Sequence, residues 1–494
     1  MGLKRKAAFL TLGCKVNQYE TDAMMELLKD AGYEIVDFKD KADVYVINTC
    51  SVTNIADRKS RQMIHRARRK NPDAVVAAAG CYIQTGGQHM LEEGQADILI
   101  GNNRKKDIVL ILEDYFLGRG EDGEENSEDR PGRGSACAYV HDISGDREYE
   151  ALSLHDVSGH TRVYLKIQDG CNQFCSYCII PYARGRIRSR DPREVVEEVK
   201  RLTDRGFLEV VLTGIHLSSY GLDLTEKREE GHRQERQGEA LAAKEVNKDN
   251  PYLQGSVTLL TLIRDLQKIP GLARIRLSSL EPRIITETFV KGLKECSKVC
   301  PHFHLSLQSG CDATLRRMNR RYSTAEYRSA VELLRSYYDS PAITTDVIAG
   351  FVGETEEEFE QTRNFLEEIG FYEMHVFKYS VREGTRAQRM EGHLPDHVKT
   401  SRSAILLEMA KRHKKAYEQT MTGRRVQVLL EEEVTVAGQS YWQGYTDRYV
   451  KVFVENHGQK HELLQNKLVN VEIIGFLYEK KLEKGLFGKV SIEF

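Results

Sequence analysis

No run of about 18 apolar residues occurs in this 494-residue chain, which excludes a membrane-spanning helix of ordinary length. Charge of one sign is missing too. The 72 Lys and Arg against 74 Asp and Glu leave a formal −2, so any nucleic-acid contact must rest on local patches. Ten cysteines are too sparse for a disulfide scaffold, an arrangement of small secreted domains. The opening MGLKRKAAFLTLGCK starts on basic residues like a secretory leader, but its apolar stretch from Ala7 to Gly13 is too short and no small-residue cleavage site follows. These absences lead us to expect a cytoplasmic protein with reduced thiols. When such thiols cluster they are more often ligands or nucleophiles than bridges. What is present, 40% hydrophobic and 30% charged residues, describes an ordinary globular protein, with length for roughly three domains.

Residues 1–118 alternate apolar runs with helical patterns. AAFLTLG, VYVINTC and AVVAAAGC read as buried strands, each ending at or just before a cysteine. TDAMMELLKDAG and IADRKSRQMIHRARRK between them have helical spacing, with Gly32 and Asn71-Pro72 as stop signals. Strand–helix alternation predicts a parallel α/β domain, whose ligands collect beyond the carboxyl ends of the strands. The acidic, Gly-rich stretch in 119–160 reads as a linker. A second α/β series over 161–420 has six candidate strands (VYLKIQ, EVVLTG, RIRLSS, FHLSL, AITTDVI, YEMHVFKYS), which predict an incomplete, TIM-like α/β barrel with its site at the strand C-termini. Residues 222–255 interrupt it as a charged insertion without an apolar face. Residues 421–494 alternate in strand fashion and predict a small antiparallel β-barrel.

Cys171, Cys175 and Cys178 stand in DGCNQFCSYCIIPYARGRIRSR as C-x3-C-x2-C. A structural zinc site takes four ligands, so zinc here would need a borrowed fourth ligand, and the spacing is unusual for a zinc ribbon. Three thiolates on a four-iron cluster instead leave one iron open, and the amino and carboxylate groups of S-adenosylmethionine (SAM) chelate such an iron. Electron transfer into the sulfonium then releases a 5′-deoxyadenosyl radical. Tyr177, before the last cysteine, is expected to pack on the cofactor. Cys14, Cys50 and Cys81 would each alone read as a buried core residue. Three at corresponding strand ends, in a chain with another three-cysteine set, point to a second cluster. Cys296 and Cys300 on a predicted helix, Cys137 and Cys311 read as packed thiols.

The C-x3-C-x2-C at the end of a first barrel strand resembles the radical SAM superfamily. With TLGCKVNQYET, LTGIHLSSYG and LSLQSGCDATLRRMNRRYS, the chain is similar over nearly its whole length to methylthiotransferases: an N-terminal cluster domain, a radical SAM barrel and a C-terminal TRAM barrel. The resemblance implies insertion of a methylthio group at an unreactive C–H bond, with two [4Fe-4S] clusters and SAM as cofactors. Its closest branch acts on N6-threonylcarbamoyladenosine beside the tRNA anticodon, giving the 2-methylthio derivative. Lys15-Val16-Asn17 stands where the isopentenyladenosine branch has Gln-Met-Asn and the branch modifying a ribosomal-protein aspartate has Pro-Lys-Asn. Those two targets, and a non-catalytic RNA-binding metalloprotein, are the competing readings. Val352 and Lys378 stand where the family commonly has proline.

Gly350, Gly353, Glu354, Gln308 and Glu281 join Tyr177 as candidate cofactor contacts. His216, Ser279, Ser309 and Asp346 also lie at predicted strand ends. For RNA the candidates are Arg58, Arg61 and Arg68, which share a helical stripe with His65, then Arg184 and Arg186, and Trp442, Tyr445, Arg448 and Lys451 in QSYWQGYTDRYVKV, where GYTDRY resembles the TRAM domain. Guanidinium groups follow phosphates and aromatic faces stack on bases. The sulfur and electron donors are not identifiable from the sequence.

Overall fold

The computed structural model describes residues 4–121, 136–154, 161–224, 252, 257–455, 464–479 and 482–490. Most of the 222–255 insertion and much of the 119–160 stretch therefore lie outside the described residues. Two compact units emerge: Met1–Asp156, Gln168–Arg190 and Ser380–Arg389 form one, and Val157–Ile167, Asp191–Tyr379 and Met390–Phe494 the other.

The first unit is built on six strands: β1 (Lys6–Thr11), β2 (Glu34–Val36), β3 (Val44–Thr49), β4 (Val75–Gly80), β5 (Ile98–Ile100) and β6 (Cys137–Tyr139). All pair in parallel in the order β2-β1-β3-β4-β5-β6. Every residue of VYVINT in β3 and VVAAAG in β4 is buried, as a central parallel strand covered on both faces requires. Alternate residues feed two cores, Tyr45, Ile47, Val76 and Ala78 on one face and Val44, Val46, Val75 and Ala77 on the other. Cys137, read as linker, belongs to the edge strand β6. The apolar CAY there extends the sheet beside β5. Helix α1 (Lys15–Asp30) buries Val16, Tyr19, Ala23 and Met24 at helical spacing, together with the polar Asn17 and Glu20. Thr53 caps α2 (Asn54–Lys70) by accepting the Ala56 N–H. Strand order reverses between β1 and β3, the switch point where doubly wound sheets open a crevice.

The second series of strands is β7 (Arg162–Asp169), β8 (Arg188–Ser189), β9 (Glu209–Gly214), β10 (Arg274–Leu277), β11 (His302–His304), β12 (Ala342–Ala349) and β13 (Glu373–Lys378). They run as β10-β9-β7-β8 and β11-β12-β13, and the isolated bridges Ile275↔Val299 and Leu280↔Leu305 continue the curve between the two sheets. All but the two-residue β8 are the six strands expected from the sequence, and they make the open α/β barrel. Cys296 and Cys300 lie beyond the helix Glu287–Lys294 rather than on it, and both are buried.

β14 (Arg425–Val436), β15 (Gln439–Thr446), β16 (Lys451–Glu455), β17 (Leu468–Glu479) and β18 (Leu482–Val490) close as β14-β15-β16-β18-β17. One pair, β16 with β18, is parallel and the other four are antiparallel. A ring of five strands cannot alternate direction all the way round, so an odd number of parallel pairs is unavoidable.

Glu418, on the helix Asp396–Gln419, is buried beside Tyr372, whose hydroxyl donates to it at 3.4 Å. Burial pushes its carboxyl up to about 7, against the opposing pull of Lys414. The unfolded chain releases this proton near 4.5 and the folded chain only near 7, so stability falls as pH rises through that window. Glu418→Gln is expected to raise stability by roughly 2–3 kcal/mol at pH 8 and to leave it unchanged near pH 4.5, read as apparent Tm at both pH values.

Candidate active site

Cys14, Cys50 and Cys81 follow β1, β3 and β4, three adjacent strands, and so meet at the carboxyl rim beside the switch point. Cys14 stands at the N-cap of α1 and Cys81 is the first residue of the helix α3 (Cys81–Gly86). Cys14 retains solvent exposure as a residue, whereas Cys50 and Cys81 are buried. Desolvation raises the Cys14 thiol, opposed by the positive charge of Arg184, and pushes Cys50 up to about 12 with help from neighbouring Cys81. A metal binding at this rim would have to displace the thiol protons.

Buried polar groups surround the three sulfurs. Asn17 donates to Leu12 O at 2.8 Å and to Thr49 O at 2.9 Å, tying α1 to the rim. Cys81 Sγ lies 3.3 Å from Arg184 Nε and 3.6 Å from Asn102 Nδ2. Lys105, wholly buried, pairs with Glu20 at 2.7 Å and donates to Asn102 Oδ1. In the sequence Asn17 stands out only as part of the branch-marking Lys15-Val16-Asn17, and Glu20, Asn102 and Lys105 are not reached as site residues. Two signals were available: Asn17 and Glu20 share the buried face of α1, and Asn102 and Lys105 follow the end of β5 as the cysteines follow theirs.

The second cysteine set belongs to the same unit. After β7, Gly170 turns the chain at φ +69°, and Cys171 N–H donates to Gly185 O at 3.0 Å. Cys178 N–H donates to Cys175 O at 3.0 Å, and Ser176 O accepts from Ala387 N at 2.7 Å, so Ser380–Arg389 braces the loop. A Cβ on Gly170 would stand 1.8 Å from Arg186 O. Gly170→Ala is therefore expected to displace the loop, at a cost of at least about 1–3 kcal/mol in backbone strain, and to lower iron bound by this set, as measured on anaerobically reconstituted protein. Cys14 and Cys81 also follow positive-φ glycines.

Both sets offer three soft thiolates. Among the described residues, the only three His, Cys, Asp or Glu ligand atoms within 4.8 Å of one another belong to His304, Asp346 and His375. Three thiolates in each set are one fewer than the four ligands a closed structural zinc site takes.

The arginines after Cys178 divide. Arg184, Arg188 and Arg190 are buried and only Arg186 is exposed, its guanidinium 4.6 Å from the Phe174 ring. The expected RNA contact at Arg184 is corrected: this side chain is enclosed by Glu20 (2.7 Å), Asp169 (3.1 Å), Asn17 (2.8 Å) and Cys81. Arg68 likewise turns inward to Asp97 at 2.6 Å and Ala74 O at 2.9 Å, whereas Arg58 is exposed. Arg61 donates to Tyr82 Oη at 3.1 Å on the wall of a cleft of about 690 Å³. Ser51, Tyr82, Ile179 and Tyr182 also line this cleft, so it adjoins residues flanking Cys50, Cys81 and Cys178. Arg382 closes one side, donating to Ser51, Asn54 and Asp57 at 2.7–2.8 Å.

In the second unit, Glu281 accepts from Tyr252 and lies 3.1 Å from His216. Burial would raise its carboxyl, but the hydrogen bond and charge of His216 outweigh this and hold it at about 2. Gln308 has φ +70° and donates its N–H to Asp346 O, which sets it at the strand end as expected, and Ser309 is buried against Thr362. Tyr177 is half-buried in the first unit. Glu354 is engaged within the protein. Its carboxylate accepts from Gly350 N–H at 2.9 Å and pairs with Arg402 at 2.7 Å, clamping its own loop. A Cβ on Gly350 would meet the Lys399 side chain, so the close approach there is to a protein group. Val352 is buried, and Lys378 pairs with Asp396 at 3.0 Å.

The C-terminal candidates are mostly committed to packing. Trp442 lies in the barrel core. Tyr445 stacks on Tyr449, ring centroids 4.8 Å apart, with Arg162 4.5 Å from its ring. Arg448 donates to Ser340 O and Asp339 O. Lys451 is half-buried and keeps part of its side chain at the surface.

Residues 6–101 match the uncharacterized protein family UPF0004, and residues 165–366 match the radical SAM superfamily, which implies a [4Fe-4S] cluster and SAM. The chain is 38% identical over 477 residues, 96% of its length and 95% of the relative's, to the threonylcarbamoyladenosine tRNA methylthiotransferase MtaB of Bacillus subtilis. It is 37% identical to the Aquifex aeolicus protein of that name, covering 88% of this chain and 95% of that one. The tRNA-2-methylthio-N(6)-dimethylallyladenosine synthase of Clostridium novyi is 32% identical, with 85% and 84% covered. Among solved structures, the radical SAM methyltransferase TsrM of Kitasatospora setae shares the fold at TM-score 0.50 and 16% identity, with 76% of this chain and 73% of that one covered. No helix among the described residues is long and apolar enough to cross a membrane. Identity of this extent over both matched regions decides the family: the chain belongs to the radical SAM methylthiotransferases that modify tRNA.

Proposed function

We infer that this enzyme inserts a methylthio group at C2 of N6-threonylcarbamoyladenosine beside the tRNA anticodon. The observation that carries the reading is near-full-length identity of 37–38% to two threonylcarbamoyladenosine tRNA methylthiotransferases, against 32% to a dimethylallyladenosine synthase. Cys171, Cys175 and Cys178 would hold one [4Fe-4S] cluster and Cys14, Cys50 and Cys81 a second. When bound, the clusters and SAM supply a radical that activates the substrate C–H bond and the sulfur and methyl that replace its hydrogen.

The chain's own residues position these groups. Asp169 and Arg184 pin the two ends of the second cysteine loop, and Arg382 holds the segment bracing it against α2. The cleft beside Ser51, Tyr82 and Tyr182 admits a flipped base, with Tyr182 as a stacking face. Exposed Arg58 and Arg186, and Arg61 on the cleft wall, are suited to the phosphates of the anticodon stem-loop. Glu281 and Gln308 are retained as candidate cofactor contacts at the strand ends of the second unit. Three functional parts follow: 1–118 for the sulfur-holding cluster, 161–420 for radical chemistry and 421–494 for a TRAM domain contributing Lys451 to RNA binding. A tRNA substrate goes with a cytoplasmic location.

Nucleoside analysis of tRNA from a deletion strain tests the reading. Loss of 2-methylthio-N6-threonylcarbamoyladenosine, restored by the gene, is expected. Its persistence, with loss of the dimethylallyl derivative or of a methylthiolated ribosomal peptide, would reassign the substrate.

A further inference from the structure

All five N–H donors of Arg184 are committed, and four of them go to oxygen. Nη1 donates to Glu20 Oε1 at 2.7 Å and to the Asp169 carboxylate at 3.1 Å. Nη2 donates to Asn17 Oδ1 at 2.8 Å and Glu20 Oε2 at 3.0 Å. The fifth, Nε–H, is aimed at Cys81 Sγ at 3.3 Å. A guanidinium is planar and rigid, so anchoring both terminal nitrogens fixes where Nε points. The side chain is fully buried, where a hydrogen bond and a positive charge act with little solvent screening. Arg184 also closes the short helix Ile180–Arg184 behind Cys178, and Asp169 precedes Cys171 by two residues, so the anchor of this contact is the second cysteine loop itself.

We propose that Arg184 sets the reduction potential of the cluster held by Cys14, Cys50 and Cys81, by donating its Nε–H to the ligating sulfur of Cys81. This rests on the cluster assignment above. Hydrogen bonds and positive charge at a ligating sulfur stabilise the more negative, reduced cluster and raise its potential. Asn102, held by Ala183 O at 2.7 Å and by Lys105, supplies a weaker second donor to the same sulfur. Arg184 is thus a positioning and tuning residue. It contacts the cluster through its ligand and takes no part in bond making.

The test uses the full-length chain carrying Cys171→Ala, Cys175→Ala and Cys178→Ala, so that only the N-terminal set binds iron. Arg184→Lys is compared with Glu20→Gln/Arg184→Gln, a pair that removes one buried charge of each sign and leaves Asp169 with Arg188 3.8 Å away. Iron content is expected to stay at about four per chain. In the Gln pair the reduced-to-oxidised ratio at the parent's midpoint potential falls about tenfold, a shift of about 59 mV for one electron. Arg184→Lys, which keeps the charge but not the fixed Nε–H, falls between. Unchanged midpoints in both variants would overturn the proposal, as would loss of iron from both, which would make Arg184 a folding residue. A parent that binds no iron would refute the cluster assignment, and that outcome is distinguishable from an unshifted potential.

Discussion

With Cys14, Cys50 and Cys81 all replaced by alanine, the enzyme is expected to bind about four irons instead of about eight, to cleave SAM still, and to form no methylthiolated nucleoside. The separation follows from where the two sets are built. The first is assembled from the ends of three strands, and the second from one loop after β7. Alanine at the first set leaves Arg184 anchored by Glu20, Asp169 and Asn17, so the clamp on the second loop survives. Cys50 and Cys81 are small buried groups, and their truncation costs far less than the loss of a large core side chain. The reciprocal variant at Cys171, Cys175 and Cys178 should lose SAM cleavage and product together while keeping about four irons. Iron quantification, 5′-deoxyadenosine release and nucleoside mass spectrometry separate the outcomes. Product from the first variant, or loss of SAM cleavage along with it, would break the division of labour.

The cysteine triads were legible because each cysteine ends an apolar run or sits in a tight spacing, and a parallel sheet sends such ends to one rim. That β1, β3 and β4 are neighbours was not legible, since strand order depends on which helix packs on which face. The arginines misled for a related reason. RGRIRSR reads as an exposed basic run, but of the two acids that neutralise Arg184 only Asp169 is near in sequence, and Glu20 lies 164 residues away on α1. Pairing over that separation leaves no mark in local composition. Trp442 differs, because its place depends on strand parity and not on a distant partner. Buried Trp442, Gly444 and Thr446 alternate with half-exposed Gln443, Tyr445 and Asp447, the period-two pattern of a barrel strand, and it puts the tryptophan inside. Tyr445, equally aromatic, falls in the outward set, so residue type alone does not tell which ring faces in.

Glu209→Ala is expected to cost about 3–5 kcal/mol and to release the C-terminal barrel from the half-barrel, the largest stability effect we foresee. Glu209 on β9 is wholly buried and accepts from Arg276 Nε at 2.7 Å, with Arg274 3.6 Å away. These two arginines alternate on β10 and so point the same way, to the backbone of the barrel. Arg274 donates to Tyr445 O at 3.0 Å and Gln427 O at 2.7 Å, and Arg276 to Asp447 O at 2.7 Å and Thr446 O at 3.2 Å. Backbone carbonyls orient a guanidinium but carry no full negative charge, so without Glu209 a fully buried cation stands uncompensated. Burial works to raise the Glu209 carboxyl, but the Arg276 charge and hydrogen bond, with Arg162 and Arg274, outweigh it and hold it below its ordinary 4.5. A depressed carboxyl stabilises the fold above the unfolded-state value and loses that contribution as pH falls through the folded one. The gap between wild type and Glu209→Gln should therefore be full at pH 7 and narrow below about pH 4.5. Hydrogen exchange at the amides of β14 and β15 is the direct readout, because a multi-unit chain need not unfold in one step. Protection there should drop in both variants while the β1–β5 sheet stays protected. Unchanged exchange in Glu209→Ala would mean that the carbonyl contacts alone hold the barrel in place.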